Sequence, residues 1–142
     1  MSKILRTILF VLLSICLITS VQGQKTAPEL LKQAVICSEA GNPDASIELC
    51  NQALAINPKY ELAYFQRAIA NEMKGNTTKA ITDYSMAIIL NSKNIQAYLN
   101  RGILYKKVKR TWAAIRDFNA ARSLDTVYTL SFLSGQAIKS LI

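Results

Sequence analysis

The sequence contains no histidine, and only nine of its 142 residues are acidic. The absence of histidine excludes histidine-based acid–base catalysis, Ser–His and Cys–His nucleophile pairs, and most catalytic zinc sites. The few carboxylates are dispersed along the chain or placed where a cation can pair with them. No nucleophile accompanies them in a pattern typical of an active site. We therefore expect a protein that is not an enzyme and that has no metal ion or cofactor.

Long hydrophobic runs are also absent, except at the N-terminus, where residues 8–21 are almost wholly apolar. Lys3 and Arg6 precede this run and Val21-Gln22-Gly23 follows it, a pattern typical of a cleavable signal peptide. We predict a signal peptide over residues 1–23, a mature domain over residues 24–142, and export to a periplasm or out of the cell. The alternative is an uncleaved membrane anchor over residues 4–22, although this run is near the short end of the roughly 17–25 residues of a membrane span.

Positive charges exceed negative charges by 8, and by 6 once residues 1–23 are removed with their two cations. The one dense cationic cluster is Lys106, Lys107, Lys109 and Arg110. We expect a solvated helix end there, which also suits the helix dipole. The alternative is a weak contact with an acidic partner or an anionic lipid surface. Nucleic acid is not expected as a partner, because the cluster is short and few aromatic residues interleave with it.

The chain repeats itself every 34 residues, without a gap, over the blocks 27–60, 61–94 and 95–128. Small residues recur at three places in each block, and large apolar residues recur three and four positions apart, as in amphipathic helices. Because small side chains let two helices approach closely, each block predicts a helical hairpin. The recurring small residues are Ala34, Ala68 and Gly102, then Ser46, Ala80 and Ala114, then Ala53, Ala87 and Ala121.

Turn residues separate the two predicted helices of each block. Gly41 and Gly75 suit the left-handed backbone that ends a helix, and Asn42 and Asn76 follow them as candidate N-caps. The third block has Lys109 at the glycine position, which is expected to cost about 1 kcal/mol if the backbone there is left-handed.

These positions resemble the tetratricopeptide repeat (TPR), which has the same 34-residue period. The second block carries Ala63-Tyr64, Ala68, Gly75, Ala80-Ile81 and Ala87, and the third carries Ala97-Tyr98, Gly102, Ala114-Ile115 and Ala121. The first block departs more, with cysteines at two places where aromatic residues are usual. The resemblance implies an all-α solenoid of three antiparallel helix pairs.

Residues 127–142 predict a final apolar helix. Leu130, Leu133, Ala137 and Leu141 fall on one side of it. We expect this side to cap the last repeat, because the end of a repeat stack needs a cover. The alternative is a helix that docks on a partner or on a second copy of the chain.

The resemblance places the functional surface on the first helices, which line a concave groove in TPR proteins. It implies a partner-binding groove and no small-molecule substrate. An apolar stripe with polar edges suits an amphipathic helix or a short extended segment of a partner protein. We also expect Phe65→Ala to weaken partner binding without unfolding the chain. The implied groove residues are Leu31, Val35, Phe65, Gln66, Ile69, Leu99, Asn100, Ile103 and Lys106.

Two alternatives remain open for this stripe. The chain itself could cover it, through residues 24–28 or the terminal helix, or the protein could assemble with copies of itself through the groove or that helix. A third use, a clamp for a C-terminal carboxylate as in some TPR proteins, is not expected. TPR proteins with such a clamp have lysine, asparagine or arginine at four positions that the resemblance transfers to this chain. Here those positions hold Leu31, Val35, Gln96 and Asn100.

Two pairs of opposite charges recur at the same block positions. Arg67 and Asp83 lie 16 residues apart, and so do Arg101 and Asp117, whereas the first block lacks both charges. Because the charges occur together or not at all, we predict an ion pair between the two helices of each hairpin.

Cysteine is scarce, and its spacing excludes the common cysteine sites. Cys37 and Cys50 follow Cys16 without a Cys-x-x-Cys motif, and two cysteines without histidine do not make an ordinary zinc site. If they lie on the two helices of one hairpin, their positions along the hairpin axis differ by about one helical turn. This displacement is near the limit for a disulfide. We expect two buried free thiols, and the sequence leaves a disulfide open.

Overall fold

The computed structural model describes residues 25–139, which form seven α-helices and no strand. The helices are α1 (Ala27–Glu39), α2 (Pro43–Ile56), α3 (Glu61–Met73), α4 (Thr77–Leu90), α5 (Ile95–Lys107), α6 (Thr111–Leu124) and α7 (Thr126–Lys139). The predicted signal peptide and Cys16 lie outside the described residues. None of the seven helices is long and apolar enough to cross a membrane.

The helices pack as three hairpins stacked one after another. Helix α1 packs on α2, α3 on α4, and α5 on α6. The second helix of each hairpin also packs on the first helix that follows it, so that α2 contacts α3, α4 contacts α5, and α6 contacts α7. This arrangement confirms the predicted all-α solenoid of three antiparallel helix pairs.

The recurring small residues form the helix–helix contacts, as the sequence predicts. All nine of them are buried. Gly102 marks an especially close approach between α5 and α6, because a Cβ atom there would lie 2.6 Å from Cε1 of Phe118. Alanine at this position would require the Phe118 ring to move.

Polar side chains cap the starts of several helices, among them α1, α2 and α5. At α1 the Thr26 N–H donates to the Glu29 carboxylate (2.7 Å) and the Glu29 N–H donates to Thr26 Oγ1 (3.4 Å). The hydrogen bond from the Thr26 backbone lowers the pKa of Glu29. The Asn42 side chain caps α2, as predicted, whereas Asn76 makes no such bond at α4. Asn76 is the N-cap residue of α4, as predicted, but its amide donates to the side chain of Asn71 (3.3 Å).

Lys109 adopts the left-handed backbone that glycine adopts in the other two hairpins. Its φ is 60°, against 76° at both Gly41 and Gly75. A β-carbon makes this conformation unfavourable by about 1–2 kcal/mol. The third hairpin therefore carries the backbone strain that its sequence predicts.

Lys109→Gly is expected to raise the free energy of unfolding by about 1 kcal/mol, because glycine adopts this backbone without a steric cost. Chemical denaturation measures the change. Gly75→Lys is the matched reverse substitution. Nothing lies within 4 Å of the Cβ atom that it would add, so its cost should come from the backbone alone. If Lys109→Gly and Gly75→Lys are both as stable as the parent chain, the turn at Lys109 is not strained.

The terminal helix α7 packs against α6 with a face that differs from the predicted one. Thr129 is buried and Phe132 and Leu133 are half-buried, whereas Leu130 is exposed. The prediction that Leu130 helps to cap the last repeat is therefore wrong.

The connection before α7 is shorter than those before the other first helices. Four residues separate α2 from α3 and α4 from α5, but only Asp125 separates α6 from α7. The terminal helix therefore starts three residues early relative to the 34-residue repeat, and Thr129 and Phe132 hold the repeat places that Ala27 and Leu30 hold in α1. The side chains of Ala137 and Leu141, which were predicted on the capping side, lie outside the described part of the chain.

Candidate functional site

The apolar residues of the first helices form one surface. Residues three, four or seven positions apart on a helix share a face, and the apolar side chains follow this spacing. We call the surface the groove, and its members are Leu31 and Val35 on α1, Leu62, Phe65, Ile69 and Met73 on α3, and Ile103 on α5.

Leu62 and Met73 are the most exposed residues of the groove, and the sequence prediction omitted both. Each is 49% exposed, whereas the other five groove residues are half-buried. The helical spacing could have found them, because Leu62 lies three residues before Phe65 and Met73 lies four after Ile69. They extend the apolar line along the whole of α3.

Leu99 was predicted to line the groove, but the structure buries it completely. A partner in the groove could not touch it, so this prediction is wrong. Phe65 holds the same block position in the second repeat and is half-buried. Leu31, a leucine at the same position of the first block, is half-buried too, so the surroundings in each repeat, and not side-chain size, set the depth of this position.

Gln66 was also predicted to line the groove and is also buried. Its Nε2 donates to Ser38 Oγ (2.9 Å), and Ser38 Oγ donates to Ser46 Oγ (2.9 Å). This chain of hydrogen bonds joins α1, α2 and α3. Gln66 therefore connects the first two repeats, and the prediction that it faces a partner is wrong.

A second polar chain joins the next two repeats, at the edge of the groove. Asn100 Nδ2 donates to the Tyr84 hydroxyl (3.1 Å), which donates to the Glu72 carboxylate (3.1 Å). Burial and the nearby Glu72 carboxylate raise the pKa of Tyr84 well above its usual value, so its hydroxyl stays protonated. The network is part-buried, with only Tyr84 enclosed, and it favours one relative orientation of the helices that it joins.

Phe65 has a packing role in addition to its place in the groove. Its ring lies edge-on to the ring of Tyr84, with centroids 5.6 Å apart, and it packs against the core around Ala68. Such aromatic pairs add about 0.5–1.5 kcal/mol beyond area burial. Phe65→Ala is therefore expected to lower stability somewhat as well as to weaken partner binding, and Leu62 and Met73 are better positions for testing the groove.

The remaining predicted groove residues lie at its edges. Asn100 is half-buried and Lys106 is exposed near the end of α5. Lys106 and its neighbour Lys107 give this end of the groove a positive charge.

The structure brings both charge pairs together. Arg67 Nε and Nη2 donate to the two oxygens of Asp83 (3.0 and 2.7 Å), and Arg101 binds Asp117 in the same way (2.8 and 2.9 Å). Each arginine also contacts the preceding repeat. Arg67 Nη1 donates to Asn51 Oδ1 (2.6 Å), and the equivalent nitrogen of Arg101 donates to a serine oxygen of α4 (2.8 Å). The pairs therefore join neighbouring repeats as well as the helices of one hairpin.

Three family models for the repeat match the chain in sequence. Two are described as tetratricopeptide repeats, over residues 30–60 and 49–82, and one as a TPR repeat, over residues 73–109. The chain is an all-α TPR solenoid. No curated protein matches it by sequence.

Solved TPR structures superpose on this solenoid. The Arabidopsis OM64 TPR domain has a TM-score of 0.72 at 20% identity, with 82% of this chain and 97% of that domain covered. The second TPR of Spaghetti (RPAP3), bound to the HSP90 peptide SRMEEVD, has a TM-score of 0.69 at 20% identity, with coverage of 75% and 99%. MamA has a TM-score of 0.68 at 25% identity, with 70% of this chain covered. The match spans 58% of the length of the MamA chain.

A polar cleft of about 480 Å³ lies on the face of α3 opposite to the TPR groove, between α2, α3 and α4. Arg67, Lys74 and Lys79 line it, and the first two are already paired with the carboxylates of Asp83 and Asp44. The cleft is therefore a weaker candidate for a binding site than the groove. No cluster of three or more acidic or cysteine side chains within residues 25–139 could hold a metal ion.

The two cysteines of the first TPR hairpin are free thiols. Burial raises the pKa of the Cys50 thiol to about 11, so it is neutral near pH 7 and a poor nucleophile. Cys37 is half-buried, which corrects the expectation that both thiols are buried.

Proposed function

We propose that this TPR solenoid is a non-enzymatic scaffold whose groove binds a peptide segment of a partner protein. The observation that carries the proposal is the apolar line on α3, where Leu62 and Met73 are each 49% exposed. Apolar surface gains free energy when a partner removes it from water. The stacked first helices hold these side chains at fixed spacing, which preorganises the surface and lowers the entropic cost of binding.

The chemistry of the groove favours a segment with apolar side chains and an acidic flank. Lys106 and Lys107 are exposed at one end of α5, where a carboxylate of the partner can approach them. Glu72 holds the Lys106 position on α3 and is also exposed, so we expect the acidic flank to lie against α5 and not against α3.

A clamp for a terminal carboxylate is not part of the proposal. Leu31 and Val35 are apolar, and Gln96 Nε2 donates to Asn100 Oδ1 (3.1 Å). These four positions therefore offer no cation to a carboxylate.

Selection of phage-displayed peptides on the folded chain tests the proposal. The selected peptides should share apolar residues next to an acidic flank. Leu62→Ala with Met73→Ala should weaken their binding at least about tenfold, because truncating apolar contacts at the centre of an interface costs roughly 1 kcal/mol or more per side chain.

Ile89→Ala is the matched control for this test. Ile89 is also apolar and exposed, but it lies on α4, outside the groove. Its substitution should leave peptide affinity unchanged. Peptides that bind the double variant as tightly as the parent chain would rule out the groove.

We also propose that the protein is exported after cleavage behind Gly23. The proposal is supported by the basic, apolar and small-residue order of the first 23 residues. Mass spectrometry of the protein isolated from its own cells should find Gln24 as the first residue. An intact N-terminus in the membrane fraction would instead favour the anchor over residues 4–22.

A second candidate function is self-assembly through α7. Val127, Tyr128 and Leu130 leave exposed apolar surface on the first turns of this helix. Light scattering should then give the mass of a dimer for the parent chain and of a monomer for Val127→Lys with Leu130→Lys. A parent chain that stays monomeric at high concentration would remove this candidate.

A further inference from the structure

The turn between α5 and α6 presents a large aromatic side chain to solvent. Trp112 is 84% exposed, more than any other large apolar residue within residues 25–139, and Val108 and Ile115 near it are exposed as well. Ile115 and Arg116 lie three and four positions after Trp112 and share its helix face. We call this surface the α5–α6 tip, and its members are Val108, Lys109, Arg110, Trp112, Ile115 and Arg116.

The other two hairpins show that the fold does not require this tryptophan. The residues at the same block position are Asp44 in the first repeat and Thr78 in the second. Likewise, the position of Lys109 is glycine in both of them. The third hairpin therefore has an exposed indole where polar residues suffice, and a cation where glycine would relieve backbone strain.

The α5–α6 tip also lies in the most positively charged part of the chain. Residues 95–124 contain seven lysines and arginines and one carboxylate, Asp117, which is buried and paired with Arg101. In contrast, block 27–60 contains two cations and four carboxylates. No exposed carboxylate of α5 or α6 offsets the cations of the tip.

Hydrogen bonds hold the turn in shape before any ligand arrives. The Lys109 N–H donates to the Lys106 carbonyl (3.0 Å) and the Arg110 N–H donates to the Tyr105 carbonyl (2.8 Å). Lys109, Arg110 and Trp112 line one shallow depression. The indole and the cations are therefore presented together.

We propose that the α5–α6 tip docks on the surface of a membrane that contains anionic lipids. The indole of Trp112 lies among the headgroups, where tryptophan is enriched in proteins, because its ring is apolar and its N–H is polar. Lys109, Arg110 and Arg116 lie against the lipid phosphates, and each cation near an anionic surface strengthens the attraction. The groove stays free for a peptide partner.

A lipid surface fits this tip better than an acidic protein does. The tip is a turn that connects two helices, and such a shape can enter a headgroup layer while offering little concave surface to a folded partner. The apolar run at residues 8–21 also predicts that the chain meets a membrane, either during export or as an anchor.

The fluorescence of Trp112 tests the proposal directly, because it is the only tryptophan in the chain. The full chain is titrated at low salt with vesicles of phosphatidylcholine alone, and with vesicles that also contain phosphatidylglycerol. We expect the emission to shift to shorter wavelength, and quenching by acrylamide to fall, with the anionic vesicles only.

Two charge variants show whether the tip itself makes the contact. Lys109→Asn with Arg110→Gln should weaken binding to the anionic vesicles about 25-fold, or about fivefold per cation removed. Asparagine is chosen because it tolerates a left-handed backbone. Lys59→Gln with Lys93→Gln removes the same charge from the turns between repeats and should change the affinity little. All four residues are exposed, and the N-terminal run is the same in every variant.

Three results would overturn the proposal. The first is an unchanged emission with the anionic vesicles at low salt. The second is an equal loss of affinity in both charge variants, which would indicate attraction to the net charge of the chain. The third is a blue shift with a polyglutamate peptide and none with vesicles, which would assign the tip to an acidic protein.

Discussion

Asp117→Ala is expected to lower the free energy of unfolding by about 4 kcal/mol, because it leaves a buried charge without its partner. The Asp117 side chain is 1% exposed and that of Arg101 is 11% exposed. The rings of Tyr98 and Tyr105 lie beside the guanidinium, each with its centroid 5.8 Å from Cζ, so water cannot easily replace the carboxylate. A domain of this size is stable by roughly 5–15 kcal/mol, so chemical denaturation will resolve the change.

The first hairpin supplies a matched control for this substitution. Asp44 pairs with Lys74, but its side chain is 75% exposed. Exposed pairs contribute at most about 1 kcal/mol, so Asp44→Ala should change stability little. Replacing Arg101 and Asp117 together by leucine should recover much of the loss, because no unpaired charge remains. An Asp117→Ala variant as stable as Asp44→Ala would contradict the structural role of the pair.

Leu99→Ala is expected to lower the free energy of unfolding by about 3 kcal/mol, because it removes a fully buried side chain and leaves a cavity. Ile103→Ala, one turn later on α5, should cost about 1 kcal/mol, because Ile103 is only half-buried. The order of the two effects should be reversed for the affinity of a groove peptide. Ile103→Ala should weaken its binding, and Leu99→Ala should leave its affinity unchanged under conditions where the variant is folded.

Denaturant titration and a peptide-binding assay on the two variants distinguish a core residue from a groove residue. A reversed order, with Leu99→Ala affecting the peptide and Ile103→Ala affecting stability, would contradict the burial pattern of α5.

The fold was predictable because its determinants repeat along the sequence. Residues such as Ala34, Ala68 and Gly102 mark the close helix contacts in every block, and a period that occurs three times leaves little room for another arrangement. The charge pairs were predictable for a similar reason. Arg67 occurs with Asp83 and Arg101 with Asp117, each time at the same spacing.

The depth of each groove residue was not predictable from the repeat. A helical period gives the direction of a side chain, but burial depends on the size and reach of neighbours distant in sequence. Gln66 is buried because Ser38, 28 residues earlier, accepts its hydrogen bond. Leu130 is exposed like Leu62, 68 residues earlier at the same place of the repeat, although its spacing to Leu133 puts it on an apolar side of its helix.

Site-specific photo-crosslinking in living cells tests the groove most directly. A photoreactive residue is placed at Leu62, at Met73 or at Ile89, and the chain is irradiated with and without a peptide selected for groove binding. We predict the same adduct at Leu62 and Met73, its loss when the peptide is present, and no adduct at Ile89. Adducts at Ile89 alone, or adducts at the groove that the peptide does not displace, would contradict the account.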